Sequence, residues 1–350
     1  MEEIYKKLNH YLNEICKYLE RKDSFLLTNI LSISKLNDAF LKYIDGISLK
    51  SSTKQILLTY DEVFRIAREI VGNIDENYLS TFDNLLPSGE LDFSFEHEYP
   101  DSVHKVVDEN GNTRQLININ RNFNYEDVRI LIHEFMHYTN GLISSANRYY
   151  LTEFLSIYFE LFASDYMYRK GISPFELDPL IRLRSMKRHA ENLSEYELIL
   201  LAYSKFGPLN VHTVKFLQKY IIGIEKETFE EECKDFYEDL CAIVDECAEE
   251  IESDPNSLGQ ILSEDFITAN YRYFLSPLLA FYARAYSNFD DIAHLANHLC
   301  DYDNMPLSTI LISIGIDIRD EHFPKKSFEA IKEYIEQKQR EISDITHAKI

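Results

Sequence analysis

Apolar and polar residues follow a helical period over most of the chain. Apolar side chains recur every three or four positions through residues 4–19, and a second such row runs through 26–36. The same spacing predicts helices over about 60–72 and 75–86. Most of the chain is therefore expected to be helical.

A polar stretch interrupts this pattern early in the chain. The sequence LKSSTKQ at 49–55 has no apolar periodicity and predicts a joint. We therefore expect residues 1–55 to form an N-terminal helical segment and residues 56–350 to form the main helical domain.

One region has the period of β-strands instead. The sequence LDFSFEHE at 91–98 alternates apolar and polar residues, and 103–120 is typical of two short strands around an Asn110-Gly111 turn. A small sheet is expected over about 91–121, with helices resuming after it. The predicted fold class is mainly α, with a small β-sheet before the next helix.

Composition and charge narrow the range of functions. The formal charge of −23 argues against a nucleic-acid partner, because phosphate backbones are bound by clustered Lys and Arg. No segment reaches the roughly 18 uncharged apolar residues of a membrane span, so no membrane partner is expected. The five cysteines form no CxxC pair, and the N-terminus lacks the apolar core of a signal peptide. A cytoplasmic protein is predicted, with secretion as an effector the alternative.

The sequence HEFMH holds the candidate chemistry, on a helix predicted over about 125–140. His133 and His137 are four residues apart and share a helix face, so both rings can bind one metal ion. Glu134 lies beside them as a base that can deprotonate a metal-activated water. Because chance yields this pattern only roughly 0.03 times in a chain of this composition, a zinc site is the preferred interpretation.

A third protein ligand is expected, since catalytic zinc usually has three. The next predicted helix offers Glu153, Ser156 and Glu160, which share one face. An antiparallel helix pair brings Glu153 level with the histidines. Glu160 lies farther along and suits a role behind the ligands, where it would orient a histidine ring. The alternatives are Glu160 as the substitute ligand or as a solvated helix position.

Several ordered pieces resemble the thimet oligopeptidase and oligoendopeptidase F family of zinc metallopeptidases. They are the sequence at 72–94, the sequence LININRNFNYEDVRILIHEFMH at 116–137, and TEFLSIYFELFASDYM at 152–167. The resemblance implies a zincin-like helical metallopeptidase with a deep channel. It also implies one zinc ion held by His133, His137 and Glu153, with Glu134 as the base, and cleavage of short peptides.

The chain also departs from that family. Met136 stands where the family usually has glycine, and the link from His137 to Glu153 is shorter. The chain is that of a shortened member, in which the N-terminal lobe is expected to be reduced. The restriction to short peptides is therefore left open.

A weaker likeness covers NYRYFLSPLLAFYARAYS at 270–287, where the family places a histidine and tyrosines that bind the substrate carbonyl. Arg272 stands in the histidine position. Tyr273 is the candidate catalytic tyrosine and Tyr282 the other nearby hydroxyl, and either phenol or the guanidinium could stabilise an oxyanion. The alternative is that these aromatic residues belong to the core.

The predicted function is a zinc-dependent endopeptidase that acts on oligopeptides, with peptide or protein as its substrate. The strand RQLININ at 114–120 is expected to be an edge strand that pairs with an extended substrate. One alternative is a metalloprotease toxin or effector that cuts a single specific protein. Another is a helical scaffold of the same fold whose site is inactive.

Overall fold

The structure is a computed structural model. It describes residues 1–22, 24–46, 57–94, 101–107, 113–140, 146–171, 179–210, 212–217, 225–254, 256–302 and 305–347.

Helices dominate the described part of the chain. The α-helices are α1 (Glu2–Lys22), α2 (Ser24–Ile44), α3 (Tyr60–Gly72), α4 (Glu76–Ser88), α5 (Tyr125–Asn140), α6 (Ala146–Arg169), α7 (Pro179–Phe206), α8 (Thr213–Leu217), α9 (Lys226–Glu246), α10 (Ala248–Ser253), α11 (Ser257–Ile261), α12 (Ala269–Tyr286), α13 (Phe289–Asn297), α14 (Leu307–Ser313) and α15 (Phe323–His347). A π-helix covers Leu262–Thr268 and a 3₁₀-helix covers Leu299–Tyr302. The predicted helices at 60–72, 75–86 and 125–140 are confirmed to within two residues at each end.

Local signals explain where α3 and α4 begin and end. Thr59 and Glu62 form a reciprocal capping box at the start of α3, and the Asp75 side chain accepts the N–H of Asn77 at the start of α4. Helix α4 continues through Pro87 and ends at Gly89, whose φ of 69° is the left-handed conformation that glycine adopts without strain. The predicted break at LPSGE therefore falls at its glycine.

The sheet has three strands: β1 (Leu91–Ser94), β2 (Ser102–Val107) and β3 (Thr113–Asn120). Their order is β1-β3-β2, with β1 parallel and β2 antiparallel to β3. The predicted hairpin pairing of β2 with β3 is confirmed, whereas its Asn110-Gly111 turn lies outside the described residues. The fold class, mainly α with a small sheet before the HExxH helix, is confirmed.

The prediction that 114–120 is an edge strand is wrong for Ile117–Asn120, where β1 pairs with β3. Strand β3 is central, because Leu91–Ser94 pairs along one side of it and Ser102–Val107 along the other. The main-chain groups of Ile117–Asn120 therefore already face a neighbour on the β1 side. Among the described strands, β1, β2 and the part of β3 before Ile117 have an edge to which an extended peptide could add.

The chain divides into two compact units. One comprises residues 1–47, 145–147 and 185–274, and the other comprises 48–144, 148–184 and 275–350. The second unit contains the sheet, α3 to α5, α6 from Arg148 onward and the HExxH residues. The sequence pattern predicts a domain boundary between residues 55 and 56. That boundary stays a prediction.

An aromatic cluster packs α5 against α3 and α4 in the second unit. Phe135, which is fully buried, meets Phe82 edge-on at 5.1 Å between ring centroids and Tyr78 at 6.1 Å. Phe82 in turn contacts Phe64 at 4.6 Å. These contacts bury the apolar side of α5 and leave its opposite face for the polar residues of the site.

Among the described residues, the helices are all too short or too polar to cross a membrane.

Candidate metal centre

A buried carboxylate fixes the start of α5. Asp127 is inaccessible to solvent, and its two oxygens accept the N–H groups of Asn122 (2.7 Å) and Phe123 (2.9 Å). Phe123 adopts a φ of 61°, unusual for a non-glycine residue, and so turns the chain from β3 into the helix. The side chain of Asn124 accepts the N–H of Glu126 at 2.8 Å and so caps the first turn of the helix. The direction of α5 is therefore set two turns ahead of the histidines.

Helices α5 and α6 run antiparallel at the site. Nε2 of His133 and Nε2 of His137 lie 3.0 Å apart on one face of α5. Oε2 of Glu153 on α6 lies 3.4 Å from Nε2 of His137 and 4.0 Å from Nε2 of His133. The structure thus brings together the three residues predicted as metal ligands.

These three residues fit a zinc ion. Around an ion bound tetrahedrally at 2.0–2.2 Å, neighbouring donor atoms lie about 3.3–3.5 Å apart, close to the observed triangle of 3.0, 3.4 and 4.0 Å. Two imidazoles and one carboxylate form a common donor set of catalytic zinc. Among the described residues, this is the one group of three such side chains close enough to hold an ion.

Glu134 is buried next to the proposed ligands, with 7% of its surface exposed. Burial raises the pKa of its carboxyl above the ordinary value, and the negative charges of Glu153 and Asp101 add to the increase. The two neighbouring histidines oppose it. A carboxyl whose pKa moves toward neutrality can both accept and return a proton, as a general base must.

Glu160 lies behind His133, where the sequence analysis expected it. Its Oε1 is 3.2 Å from Nδ1 of His133, an ion-pair distance, although the direction of the N–H falls outside regular hydrogen-bond geometry. Glu160 is 4% exposed, so the alternative of a solvated helix position is wrong. The alternative of a substitute ligand is not favoured, since Glu160 faces Nδ1 and not the Nε2 atoms.

Two arginines hold the Glu160 carboxylate. Nη1 of Arg129 donates to Oε1 at 2.5 Å, and Nη2 of Arg182 donates to Oε1 at 2.8 Å and to Oε2 at 2.5 Å. Arg129 also donates a very short hydrogen bond to Glu126. The four side chains Arg182, Glu160, Arg129 and Glu126 form a row of alternating charge, here called the charge array.

The pKa values of Glu153 and Glu160 are lowered, whereas that of Glu134 is raised. Burial opposes ionisation of Glu153, but the hydrogen bond from His137 and the nearby charges outweigh it and lower the pKa of Glu153 to about 2. Burial likewise opposes ionisation of Glu160, and the charges of Arg129 and Arg182 reverse that effect, so its pKa falls far below the ordinary value. Both groups are anionic at neutral pH.

The sequence itself matches no protein-family model and no curated protein. Two solved structures nevertheless superpose on nearly the whole chain. A presumed peptidase from Chlamydophila abortus has a TM-score of 0.50 and 16% identity, with 98% of this chain and 56% of that chain covered. PZ peptidase A with inhibitor 2 has a TM-score of 0.50 and 13% identity, with 94% and 58% covered.

The chain has the fold of these peptidases. It spans only a little more than half the length of each, 56% and 58% respectively. The peptidase fold that the sequence resemblance implied is therefore confirmed, and at this level of identity the likeness concerns the fold alone.

The predicted catalytic tyrosine lies in the other compact unit of this peptidase fold. Tyr273 accepts a hydrogen bond from Arg272 at 2.8 Å, and its ring stacks on His189 at 5.0 Å. Tyr282 is 6% exposed and packs against the rings of Phe323 and Tyr286, an environment that favours the core interpretation for this residue.

Sequence reasoning missed three charged residues near the centre: Asp101, Arg129 and Arg182. A signal existed for Arg129, which is four residues before His133 and three after Glu126, and therefore shares their helix face. Asp101 and Arg182 reach the site only through tertiary packing, and their sequence surroundings carry no such signal.

Proposed function

We propose that the protein is a zinc-dependent endopeptidase that hydrolyses peptide bonds in oligopeptides. The observation that carries this proposal is the convergence of His133, His137 and Glu153, with Glu134 buried next to them. Zinc sites with two histidines, one glutamate and a neighbouring base serve hydrolysis in other proteins. The peptidase fold is a second, independent support for the proposal.

Each residue then has a defined part in the reaction. His133, His137 and Glu153 would hold one zinc ion, which when bound would polarise a carbonyl group and lower the pKa of a water molecule. Glu134 takes the proton from the attacking water and delivers it to the leaving nitrogen. We keep Tyr273 as the candidate that donates a hydrogen bond to the developing oxyanion.

Substitution of the proposed base tests this assignment. Glu134→Gln should lower kcat for a quenched fluorescent peptide library by about 10²–10⁴-fold, while the zinc content measured by mass spectrometry stays at one ion per chain. The matched control is Glu69→Gln, which alters an exposed glutamate paired with Arg65 and should leave turnover unchanged.

Four results would contradict parts of the proposal. Undiminished turnover in Glu134→Gln would remove this residue as the base, and the absence of zinc from the purified protein would remove the metal. Unchanged kcat/KM in Tyr273→Phe would remove that tyrosine from the catalytic set. If the protein cleaves none of the library peptides but cleaves one protein in a cell lysate, its function is that of a specific effector and not of an oligopeptidase.

A further inference from the structure

The charge array is more elaborate than the burial of one glutamate requires. Oε1 of Glu160 is approached by Arg129 at 2.5 Å, by Arg182 at 2.8 Å and by Nδ1 of His133 at 3.2 Å. Arg182 also reaches Oε2 at 2.5 Å, so a single Nη2 atom contacts both oxygens. Both oxygens of Glu160 are thus held by guanidinium groups, and the carboxylate cannot rotate without breaking one of these contacts.

The array connects three helices within one compact unit. Glu126 and Arg129 lie on α5, Glu160 lies on α6, and Arg182 lies in the first turns of α7. A buried ion pair is costly to desolvate and is a weak source of stability when compared with apolar packing. Such a row therefore calls for an explanation other than stability alone.

The position of the row supplies that explanation. A histidine can bind a metal through Nε2 only when Nε2 has no proton, and an acceptor opposite Nδ1 selects the tautomer whose proton is on Nδ1. Glu160 provides an acceptor at Nδ1 of His133, and the two guanidinium groups determine where that acceptor lies. Arg129 contributes from the same helix face as His133, whereas Arg182 contributes from a separate helix.

We propose that Arg182 and Arg129 are positioning residues that hold Glu160 against Nδ1 of His133 and so present the unprotonated Nε2 of His133 to the metal. This inference rests on the proposed function, because it assigns the arginines to the same zinc site. A purely structural array would join the helices without affecting the imidazole.

The test replaces Arg182 in the full-length protein. Arg182→Met should weaken zinc binding by about 10-fold, the lower end of the range for residues that orient a metal ligand, as measured by competition with a chromophoric chelator. In the metal-free protein, at a pH high enough for the His133 ring to be neutral, the ¹⁵N chemical shifts of that ring, assigned against His133→Gln, should show a loss of the tautomer protonated at Nδ1. Arg182→Lys keeps the charge and should restore most of both properties.

Arg68→Met is the matched control. Arg68 makes the same two-pronged contact with a carboxylate, donating to Asp83 at 2.6 and 2.7 Å, but both partners are exposed and lie outside the centre. This variant should leave the zinc affinity and the His133 shifts unchanged.

The outcomes separate this inference from the proposed function. If the wild type binds one zinc ion and Arg182→Met changes neither the affinity nor the tautomer, the positioning role is overturned and the endopeptidase proposal stands. If the wild type binds no zinc, the proposed function fails and the inference fails with it. Should Arg182→Met not fold, Arg182→Gln is measured in the same two assays, and unchanged values there also overturn the inference.

Discussion

Two buried glutamates, one in each compact unit, have opposite ionisation behaviour. Glu160 is 4% exposed and Glu197, on α7, is 3% exposed. The pKa of Glu160 lies far below its ordinary value because of Arg129 and Arg182, whereas burial raises the pKa of Glu197 to about 8. Equal removal from water therefore gives a permanent anion at one position and a neutral acid at the other.

The partners of each carboxyl account for the difference. Glu160 meets two guanidinium groups, while Glu197 accepts a hydrogen bond from the amide of Asn37 at 3.2 Å and interacts with hydroxyl groups. Neutral donors offset only part of the cost of burying a charge, and the nearby Asp38 carboxylate adds repulsion. The type of partner, and not the depth of burial, thus determines whether a buried glutamate can serve a metal centre as an anion.

Removal of the Glu160 carboxylate, which is paired with two arginines, should have the largest effect on stability. Glu160→Gln leaves the partly buried Arg182 without this carboxylate and Arg129 with Glu126 alone, and breaking a buried ion pair costs about 3–5 kcal/mol of the free energy of unfolding. Urea denaturation in the presence of EDTA would measure it without a contribution from metal loss. A change no larger than that of the exposed control Glu69→Gln would show that the arginines are compensated elsewhere.

Substitution of Glu197, which has no cationic partner among its hydrogen bonds, should stabilise the protein at high pH instead of destabilising it. The pKa of Glu197 rises from about 4.5 to about 8 on folding, so its contribution to stability is present in full below about pH 4.5 and is lost as the pH rises through 8. Glu197→Gln cannot ionise and should be more stable than the wild type at pH 8, by up to about 4 kcal/mol, but not at pH 4.5. Thermal unfolding of both proteins between pH 4.5 and 8 measures this, and parallel curves would argue against a buried neutral acid.

The smallest effect on stability is expected at the Arg68–Asp83 ion pair, because both side chains are exposed to water. Arg68→Met removes a two-pronged contact with Asp83, yet solvent screens both charges, and Tm should shift by less than about 2 °C. The shift should shrink further at 1 M salt, where screening is stronger. A Tm loss as large as that of Glu160→Gln would mean that exposure does not distinguish the two bridges.

Features that depend on neighbouring residues could be predicted from the sequence. The spacing of His133, Glu134 and His137 is a property of one helix, and Glu153 follows because a short link forces the next helix to run back alongside it. The helix bounds of α3 and α5 likewise follow from local caps and apolar spacing.

Features that depend on distant residues could not be predicted. The strand at 114–120 is expected to be an edge strand because it precedes the HExxH helix, but its second half pairs in parallel with Leu91–Ser94, a pairing that the local sequence does not indicate. Arg182 follows Glu160 by 22 residues and approaches it only because α7 packs there. Glu197 is buried beside α2, where it meets Asn37, a contact between residues 160 positions apart in the sequence.

The charge array also affects which substrates the centre would accept. Arg182 and Arg129 cancel Glu160 and Glu126, so a doubly charged ion bound by His133, His137 and Glu153 would be balanced by Glu153 and ionised Glu134. The nearby carboxylate of Asp101 would then leave the occupied centre with a small excess of negative charge, which would favour basic side chains next to the scissile bond. Selection by charge would act in the same direction during approach, where a chain with a formal charge of −23 attracts basic peptides faster than acidic ones.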